Sequence, residues 1–334
     1  MSGYAGLRVL VTGGTGFLGG ALARRLLADG AHVTVLARNA QKAAPLAELG
    51  ATIVHGDLTD GTAVYEAARG AHVVFHVAAL LGGPYAAQHA VNEGGTRLLL
   101  EAVEPDLRRF VHVSSIAVYG NVLPLRVTED TLLAPGASPY GQSKAEAEAA
   151  VWAVAAERGL PVTIIRPGMI YGPGSNMWTA NVFQLARLRP TPFFGSGQMP
   201  APVIWLDDLL DLLVCAGEHP SAVGNAFNAV MDPAPSWRSY IGAHSALAGH
   251  HDWLPIPVIV GRIFAGMTML LAPRDSVPRD LPDMLERVIG PSSFSAEKAA
   301  ALLGWRACTP VVEGVRQSAG WLRQQELLTP PDRR

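Results

Sequence analysis

The sequence LRVLVTGGTGFLGG, residues 7–20, contains the pattern that decides the fold. A mostly apolar, β-branched run leads into glycines at positions 13, 16 and 19, and a helical pattern follows at once. Glycine lets the backbone turn sharply and approach a ligand, and the amino end of a helix attracts phosphate. The stretch therefore predicts a strand, a loop and a helix that bind the pyrophosphate of a dinucleotide. Because the spacing is G-x-x-G-x-x-G rather than G-x-G-x-x-G, a tight turn of another α/β protein is the alternative.

Short β-branched runs alternate with helix-length stretches through the first half of the chain. The strand-like runs are residues 7–12, 32–37, 52–55, 73–77, 110–114 and 162–166. Such alternation is typical of βαβ units, so we predict an α/β fold with a doubly wound parallel sheet of the Rossmann type. The alternation decays after Tyr171. We expect a cofactor-binding domain over residues 1–171, to which residues 203–230 return, and a smaller mixed C-terminal substrate lobe over residues 172–334.

Composition and charge exclude several classes of partner. The 334 residues are 49% apolar and 16% charged, with a net charge of -2, which leaves no basic surface for nucleic acid. Cys215 and Cys308 lack metal-ligand spacing, so we expect no metal site. We see no apolar signal segment ahead of the first strand. A reducing, cytoplasmic location fits these features best.

Residues 254–272 form the most apolar stretch, interrupted by Pro255, Pro257 and Arg262. It is too short and too broken to cross a bilayer, so we expect no stable membrane span. A buried or pocket-covering helix is the expectation, and an interfacial amphipathic segment is the alternative.

Arg38 directly follows the second strand-like run. Dinucleotide-binding folds place an acidic residue there for the ribose hydroxyls of NAD, or an arginine for the 2′-phosphate of NADP. Since no carboxylate occupies this place and guanidinium pairs well with phosphate, we expect NADP, with NAD possible. A solvated loop arginine is the alternative.

Tyr140 and Lys144 lie four residues apart on a predicted helix that begins at Ser138-Pro139 and ends at Gly159. Residues at this spacing share one helix face. A neighbouring cation stabilises a phenolate, which a tyrosine needs in order to act as an acid/base near neutral pH. Ser115 follows an apolar strand at the sheet edge where ligands of this fold bind. A surface pair without function is the alternative.

These residues resemble the extended short-chain dehydrogenases/reductases, the group that contains nucleotide-sugar epimerases and dehydratases, dihydroflavonol reductases and 3β-hydroxysteroid dehydrogenases. The resemblance covers residues 1–230. Its motifs are the three glycines, Gly56-Asp57-Leu58, Val77-Ala78-Ala79, Asn92 before Gly95-Thr96, Ser115, Tyr140, Lys144, Arg166-Pro167-Gly168 and Tyr171-Gly172-Pro173.

The resemblance implies an enzyme in which Tyr140 is the catalytic acid/base and Ser115 orients the substrate oxygen. Lys144 is implied to hold the nicotinamide ribose and to lower the pKa of the tyrosine, and Asn92 is implied to be structural. The expected cofactor-binding residues are Gly13, Thr15, Gly16, Phe17, Leu18, Arg38, Asp57, Leu58, Ala78, Ala79, Val113, Tyr140, Lys144, Pro167 and Ile170.

The family pattern implies hydride transfer between nicotinamide and a carbonyl or hydroxyl carbon of a small molecule. A lipophilic or aromatic substrate is the first hypothesis, because residues 254–272 and the aromatic side chains of the second lobe, such as Phe193 and Trp205, supply apolar surface. A nucleotide-sugar epimerase or dehydratase with retained NAD is the alternative, although residues 197–202 lack the arginine-rich pattern of family epimerases. A non-catalytic scaffold is a third reading. The resemblance also implies a homodimer, through helices near residues 86–103 and 140–157.

Overall fold

The computed structural model of the protein describes residues 3–271 and 281–328. Its strands are β1 (Arg8–Thr12), β2 (His32–Ala37), β3 (Thr52–His55), β4 (Val73–His76), β5 (Arg109–Val113), β6 (Arg126–Val127), β7 (Val162–Pro167), β8 (Met169–Tyr171), β9 (Thr191–Phe194), β10 (Val203–Trp205), β11 (Asn225–Ala229), β12 (Trp253–Ile256) and β13 (Ser293–Phe294). Its α-helices are α1 (Phe17–Ala28), α2 (Ala40–Glu48), α3 (Gly61–Ala68), α4 (Tyr85–His89), α5 (Gly95–Ala102), α6 (Pro139–Arg158), α7 (Asn181–Ala186), α8 (Leu206–Glu218), α9 (Trp237–Leu247), α10 (Val258–Leu271), α11 (Leu281–Ile289), α12 (Glu297–Leu303), α13 (Val311–Gln317) and α14 (Ala319–Gln324).

Seven parallel strands form the central sheet in the order β11-β7-β5-β4-β1-β2-β3. The chain builds β1, β2 and β3 towards one edge and then crosses to β4 on the other side of β1. The strand order therefore reverses between β1 and β4, and in doubly wound folds the ligand binds at this reversal. The predicted Rossmann fold is confirmed, and all six predicted strands match within one residue at each end.

Both faces of the sheet are covered by helices. On one face, α1 and α8 bury Leu22 and Leu209 completely. On the other face, α3, α5 and α6 bury Val64, Leu99 and Val151. Because neither face meets water, the strands read as nearly continuous apolar runs. The helices near residues 86–103 and 140–157 pack against each other within the one chain, and the homodimer stays a prediction.

The return of residues 203–230 to the sheet differs in detail from the prediction. The returning strand is β11, which pairs with β7, whereas β10 pairs with β8 in a separate two-stranded sheet. The helix α8 begins at Leu206, and no side chain caps it. Asp208 instead accepts hydrogen bonds from the amide and hydroxyl of Thr309 at 3.1 and 3.0 Å. Its carboxylate thereby joins α8 to the C-terminal segment.

The helix that bears Tyr140 is built as predicted. The Ser138 hydroxyl accepts a 3.2 Å hydrogen bond from the amide of Gly141, and Pro139 occupies the first turn. Gly159 ends the helix in the left-handed conformation, with φ of 67°. The capped start of the helix places Tyr140 in its first turn.

The apolar stretch at residues 254–272 is less buried than expected. It forms β12 and α10, and along α10 Ile259, Ile263 and Met267 are 59%, 55% and 53% exposed. These three residues repeat every fourth position and so form one exposed apolar stripe. The expectation of a buried helix is wrong for this stripe, and Ala272 lies outside the described residues. Among residues 3–271 and 281–328, no helix is both long and apolar enough to cross a membrane.

Candidate active site

The glycine loop between β1 and α1 leaves its backbone open to a ligand. Gly13 has φ of 72°, and a Cβ atom there would lie 2.8 Å from the amide nitrogen of Ala78. A Cβ atom at Gly19 would overlap the carbonyl oxygen of Gly13. Positions 13 and 19 therefore accept glycine alone without a shift of backbone. The first turn of α1 lines a cleft beside this loop, and the first amides of a helix lack partners within it, as pyrophosphate binding requires.

A cleft of about 420 Å³ runs along the carboxyl ends of β1, β2, β4, β5 and β7. It brings together nearly all of the site residues that the sequence predicts. Those that line it are Gly13, Thr15, Gly16, Phe17, Leu18, Arg38, Asp57, Leu58, Ala78, Ala79, Val113, Ser115, Tyr140, Pro167 and Ile170. Lys144 lies behind the lining, 1% exposed.

Tyr140 occupies the first turn of α6 and is partly buried at the cleft wall. Burial raises the pKa of its phenol to about 12, and a hydrogen bond with the Ser115 side chain opposes that rise. The sequence predicts that Lys144 lowers this pKa, but the groups that act on the phenol here are the surrounding apolar atoms and Ser115. The structure places the Ser115 side chain within hydrogen-bonding distance of the phenol.

Lys144 is held at the end of β5 by the strand backbone. Its Nζ donates a 2.7 Å hydrogen bond to the carbonyl oxygen of Val113 and lies 3.5 Å from Nε2 of His112. Burial lowers the pKa of Lys144 to about 8, and Glu148 on the next helical turn opposes that effect. A buried amine with a pKa near neutrality changes charge readily in response to a ligand.

Asn92 joins α6, the helix that bears Tyr140 and is called the catalytic helix below, to the cleft wall. Its side-chain amide donates to the Ser143 hydroxyl at 2.9 Å and to the Leu80 carbonyl at 3.0 Å, while its oxygen accepts from the Leu80 amide at 2.7 Å. Ser143 in turn donates to the Tyr140 carbonyl at 3.0 Å. The structural role implied for Asn92 fits this geometry.

Comparison with known proteins places this arrangement in a family. Residues 9–229 match the model of the NAD dependent epimerase/dehydratase family. The chain belongs to that family.

Two curated proteins and one solved structure show what the chain is similar to. UDP-glucose 4-epimerase of Vibrio cholerae is 27% identical over 325 residues, which is 93% of this chain and 94% of that protein. Ceramide reductase of Caulobacter vibrioides is 36% identical over 183 residues, 54% of this chain and 52% of that protein. The crystal structure of UDP-glucuronic acid 4-epimerase from Bacillus cereus in complex with NAD has a TM-score of 0.75 at 22% identity, covering 96% of this chain and 99% of that one. The likeness to the epimerases extends over the second lobe, and the likeness to the reductase covers about half of each chain.

Arg38 lines the cleft directly after the end of β2. Its guanidinium is 3.4 Å from a carboxylate oxygen of Asp57, and its side chain is 74% exposed. Burial alone would raise the pKa of Asp57, but hydrogen bonds from Thr59 and the charge of Arg38 outweigh it and lower that pKa. The arginine is therefore free to move towards a ligand, while a carboxylate competes for it.

Several cleft residues escape prediction because their residue types are common in any strand end or loop. They are Thr12, Leu36, Leu80, Leu81, Val91 and Ser114. Ser114 is 4% exposed, and its hydroxyl lacks a hydrogen-bond partner among the described residues. Its position beside Ser115 is the one sequence signal that points to it.

The aromatic residues of the second lobe mostly form core. Phe193 and Trp205 are 8% and 2% exposed and pack with Trp237 and Tyr240. Their apolar surface is used within the lobe, as is common for aromatic residues.

Proposed function

We propose that the protein catalyses reversible hydride transfer at a secondary carbinol or ketone carbon, with Tyr140 moving the hydroxyl proton. The observation that carries this proposal is that Tyr140, Ser115 and the glycine loop line one cleft, with the Lys144 amine directly behind it. A nicotinamide dinucleotide supplies the hydride chemistry when bound.

The cleft fits such a dinucleotide on three counts. The backbone at Gly13 and Gly19 leaves space that side chains would fill. The first amides of α1 suit a pyrophosphate. The buried Ser114 hydroxyl lacks a partner among the described residues, and a polar ligand in the cleft would supply one.

Three side chains, those of Tyr140, Ser115 and Lys144, take part in moving the hydroxyl proton of the substrate. Ser115 can hydrogen-bond the same substrate oxygen that Tyr140 protonates or deprotonates, since the two hydroxyls already interact. A nearby positive charge must lower the phenol's pKa from about 12 for the group to act as a base near neutral pH. We propose Lys144 for this role, which requires its amine to turn from the Val113 carbonyl towards the phenol.

For the substrate, we propose nucleotide-sugar epimerisation or dehydration as the first candidate. This choice reverses the order expected from the sequence. Its support is the likeness to UDP-glucose 4-epimerase over 93% of this chain, which includes the second lobe. In this reaction the dinucleotide stays bound and returns its hydride, so purified protein should retain NAD.

Reduction of a lipophilic ketone is the second candidate, and the positions of the arginines favour it. Binding a diphosphate requires available cations. In the described part of the second lobe, Arg262 pairs with Glu286 at 2.8 Å, and Arg238 lies 5.2 Å from the Trp253 ring. Residues 197–202 stand where family epimerases carry an arginine-rich stretch, and Ala201 among them is fully buried. For this reaction NADP is the proposed cofactor, because of Arg38.

The test first measures how much dinucleotide is bound to the purified protein. It then measures turnover of UDP-glucose and dTDP-glucose, and the NADPH-dependent reduction of a panel of ketones that includes long-chain 3-oxo compounds. Tyr140→Phe should lower kcat by about 100-fold or more on whichever substrate is turned over, while dinucleotide affinity stays within about twofold. Equal activity of wild type and Tyr140→Phe would contradict the proposed role of Tyr140, and absence of turnover with every substrate would favour a scaffold role. Turnover of ketones alone would promote the second candidate.

A further inference from the structure

His76 occupies an unusual position for a titratable side chain. It is the last residue of β4, it is 1% exposed, and it lies directly before the Val77-Ala78 segment of the cleft wall. Its two ring nitrogens each have one partner, the hydroxyls of Thr12 and Thr96, both at 2.8 Å. The proposed function assigns it no role.

The direction of the hydrogen bond on the Thr12 side follows from the partners of the Thr12 hydroxyl. That oxygen accepts from the amide of Val77 at 3.1 Å and from the amide of Ala78 at 3.2 Å. A hydroxyl has two acceptor lone pairs and one proton, so both lone pairs are in use. The Thr12 proton must then point to Nδ1 of His76, which acts as an acceptor.

The direction on the Thr96 side follows from its other partner. The Thr96 hydroxyl is hydrogen-bonded to the carbonyl oxygen of Asn92. Because a carbonyl only accepts, the Thr96 proton is committed there, and the Thr96 oxygen is left to accept from His76. Nε2 of His76 must therefore carry the proton.

Both ends demand the same form of the ring, the neutral tautomer protonated at Nε2. A doubly protonated ring would direct its Nδ1 proton at an oxygen whose lone pairs are already taken. Burial lowers the pKa of His76 to about 3, and the charge of Lys144 on α6 adds to that effect. His112 of β5 also faces the ring, with the two ring centres 5.2 Å apart.

The path continues from Thr96 to the catalytic helix. The Asn92 carbonyl accepts the hydrogen bond from Thr96. The Asn92 side chain is hydrogen-bonded to the Ser143 hydroxyl and to the amide and carbonyl of Leu80. At the other end, Thr12 directly precedes Gly13, whose backbone is in close contact with Ala78. One directed set of hydrogen bonds thus runs from the glycine loop, through β4 and α5, to α6.

We infer that His76 is a positioning residue, which as a single fixed tautomer holds the glycine loop, the Val77-Ala78 wall and the catalytic helix in the register that binds the dinucleotide. This inference rests on the proposed function, because it concerns the affinity of the same cleft for its cofactor.

The first test is the tautomer of His76 in the wild-type protein. Nitrogen-15 NMR of histidine-labelled protein should show one imidazole that carries its proton on Nε2 and does not titrate as the pH falls from neutral to about 5. The signal is assigned by its absence from His76→Gln. A ring protonated on Nδ1, or one that titrates near the ordinary pKa of histidine, overturns the inference.

The second test compares two buried threonines of the same chemistry. Thr96 and Thr163 are both 0% exposed, each donates to a backbone carbonyl, and each accepts from a side-chain nitrogen, of His76 and of Arg109 respectively. Thr96→Val should raise the Kd for the dinucleotide about tenfold, while Thr163→Val should leave it within about twofold. Thr96→Ser keeps the hydroxyl and should restore wild-type affinity.

The outcomes separate the inference from the proposed function. If wild-type protein neither retains a dinucleotide on purification nor binds NADH or NADPH by fluorescence titration, the proposed function fails and the inference fails with it. If wild type binds but Thr96→Val binds equally well, or weakens binding no more than Thr163→Val does, the inference alone is overturned. Should Thr96→Val not fold, the tautomer measurement and Thr96→Ser decide.

Discussion

The Nζ atom of Lys144 donates a 2.7 Å hydrogen bond to the carbonyl oxygen of Val113, the last residue of β5. This bond ties α6 to the strand that leads into Ser115. The buried ammonium group is separated from water, and its polar surroundings are this one carbonyl, the ring of His112 and the nearby Glu148. Folding therefore disfavours the charged form of this lysine.

Replacing Lys144 by Met should change how stability depends on pH. Burial lowers the pKa of Lys144 from 10.5 to about 8. Between these values the unfolded chain binds a proton that the folded chain has lost, so this lysine makes the folded state more stable as the pH rises. The shift corresponds to about 3 kcal/mol across that interval. Chemical denaturation of wild type and Lys144→Met at the two ends of this pH interval should show that the free energy of unfolding of wild type rises relative to that of the variant. A difference that is constant, or that falls with pH, would contradict this assignment.

The ion pair of Arg166 and Glu148 should matter far more than a surface pair of the same length. Arg166 donates to the Glu148 carboxylate at 2.7 to 3.2 Å, and the side chains are 5% and 1% exposed. Removing one partner leaves an uncompensated buried charge, so Glu148→Gln should lower the free energy of unfolding by about 3–5 kcal/mol.

The control for this prediction is Glu313→Gln. Glu313 pairs with Arg316 at 2.7 Å, but the two side chains are 38% and 70% exposed. A solvated pair contributes little, so this change should stay below about 1 kcal/mol. Urea denaturation of both variants provides the comparison, and equal losses would refute the role of burial.

The six central strands and the ends of α6 could be predicted because their signals are local. Each strand is a β-branched run bounded by turn residues, and α6 carries a capping serine, a proline and a terminal glycine. The strand β11 was not predicted, because its sequence, Asn-Ala-Phe-Asn-Ala, has little β-propensity. Its pairing with β7 determines its conformation, and that pairing is a tertiary contact.

The cleft itself could be predicted from motif spacing, whereas its electrostatics could not. Sequence spacing places Lys144 one helical turn from Tyr140, which suggests that the ammonium acts on the phenol. The structure instead directs that ammonium to Val113, because the end of β5 lies within its reach. The pKa of Tyr140 follows from burial and from Ser115, two features that depend on how the helix packs on the sheet.

Arg38→Ala should distinguish NADP from NAD. Arg38 contacts Asp57 at 3.4 Å and is otherwise exposed, so its guanidinium can reach a 2′-phosphate with little loss of other contacts. If it does so, the variant should raise the KM for NADPH on the order of tenfold and change the KM for NADH by less than about twofold. Arg69→Ala, at an exposed position outside the cleft, is the control. Equal effects on both dinucleotides would mean that Arg38 does not read the phosphate.

Gly19→Ala should disable the cleft, because the new Cβ atom would overlap the carbonyl oxygen of Gly13. The oxygen belongs to the backbone and the position of the Cβ atom is fixed by the backbone, so α1 must move away from the loop that its first turn completes. We expect a loss of about 1–3 kcal/mol in the free energy of unfolding and a rise of more than about tenfold in the dinucleotide Kd. Gly242→Ala is the matched control, since Gly242 lies within α9 and its Cβ would meet open space. Alanine is the better helix former, so that change should be neutral or stabilising by up to about 1 kcal/mol. Thermal denaturation and fluorescence titration of the two variants would show whether the tight glycine contact, rather than helix propensity, governs binding.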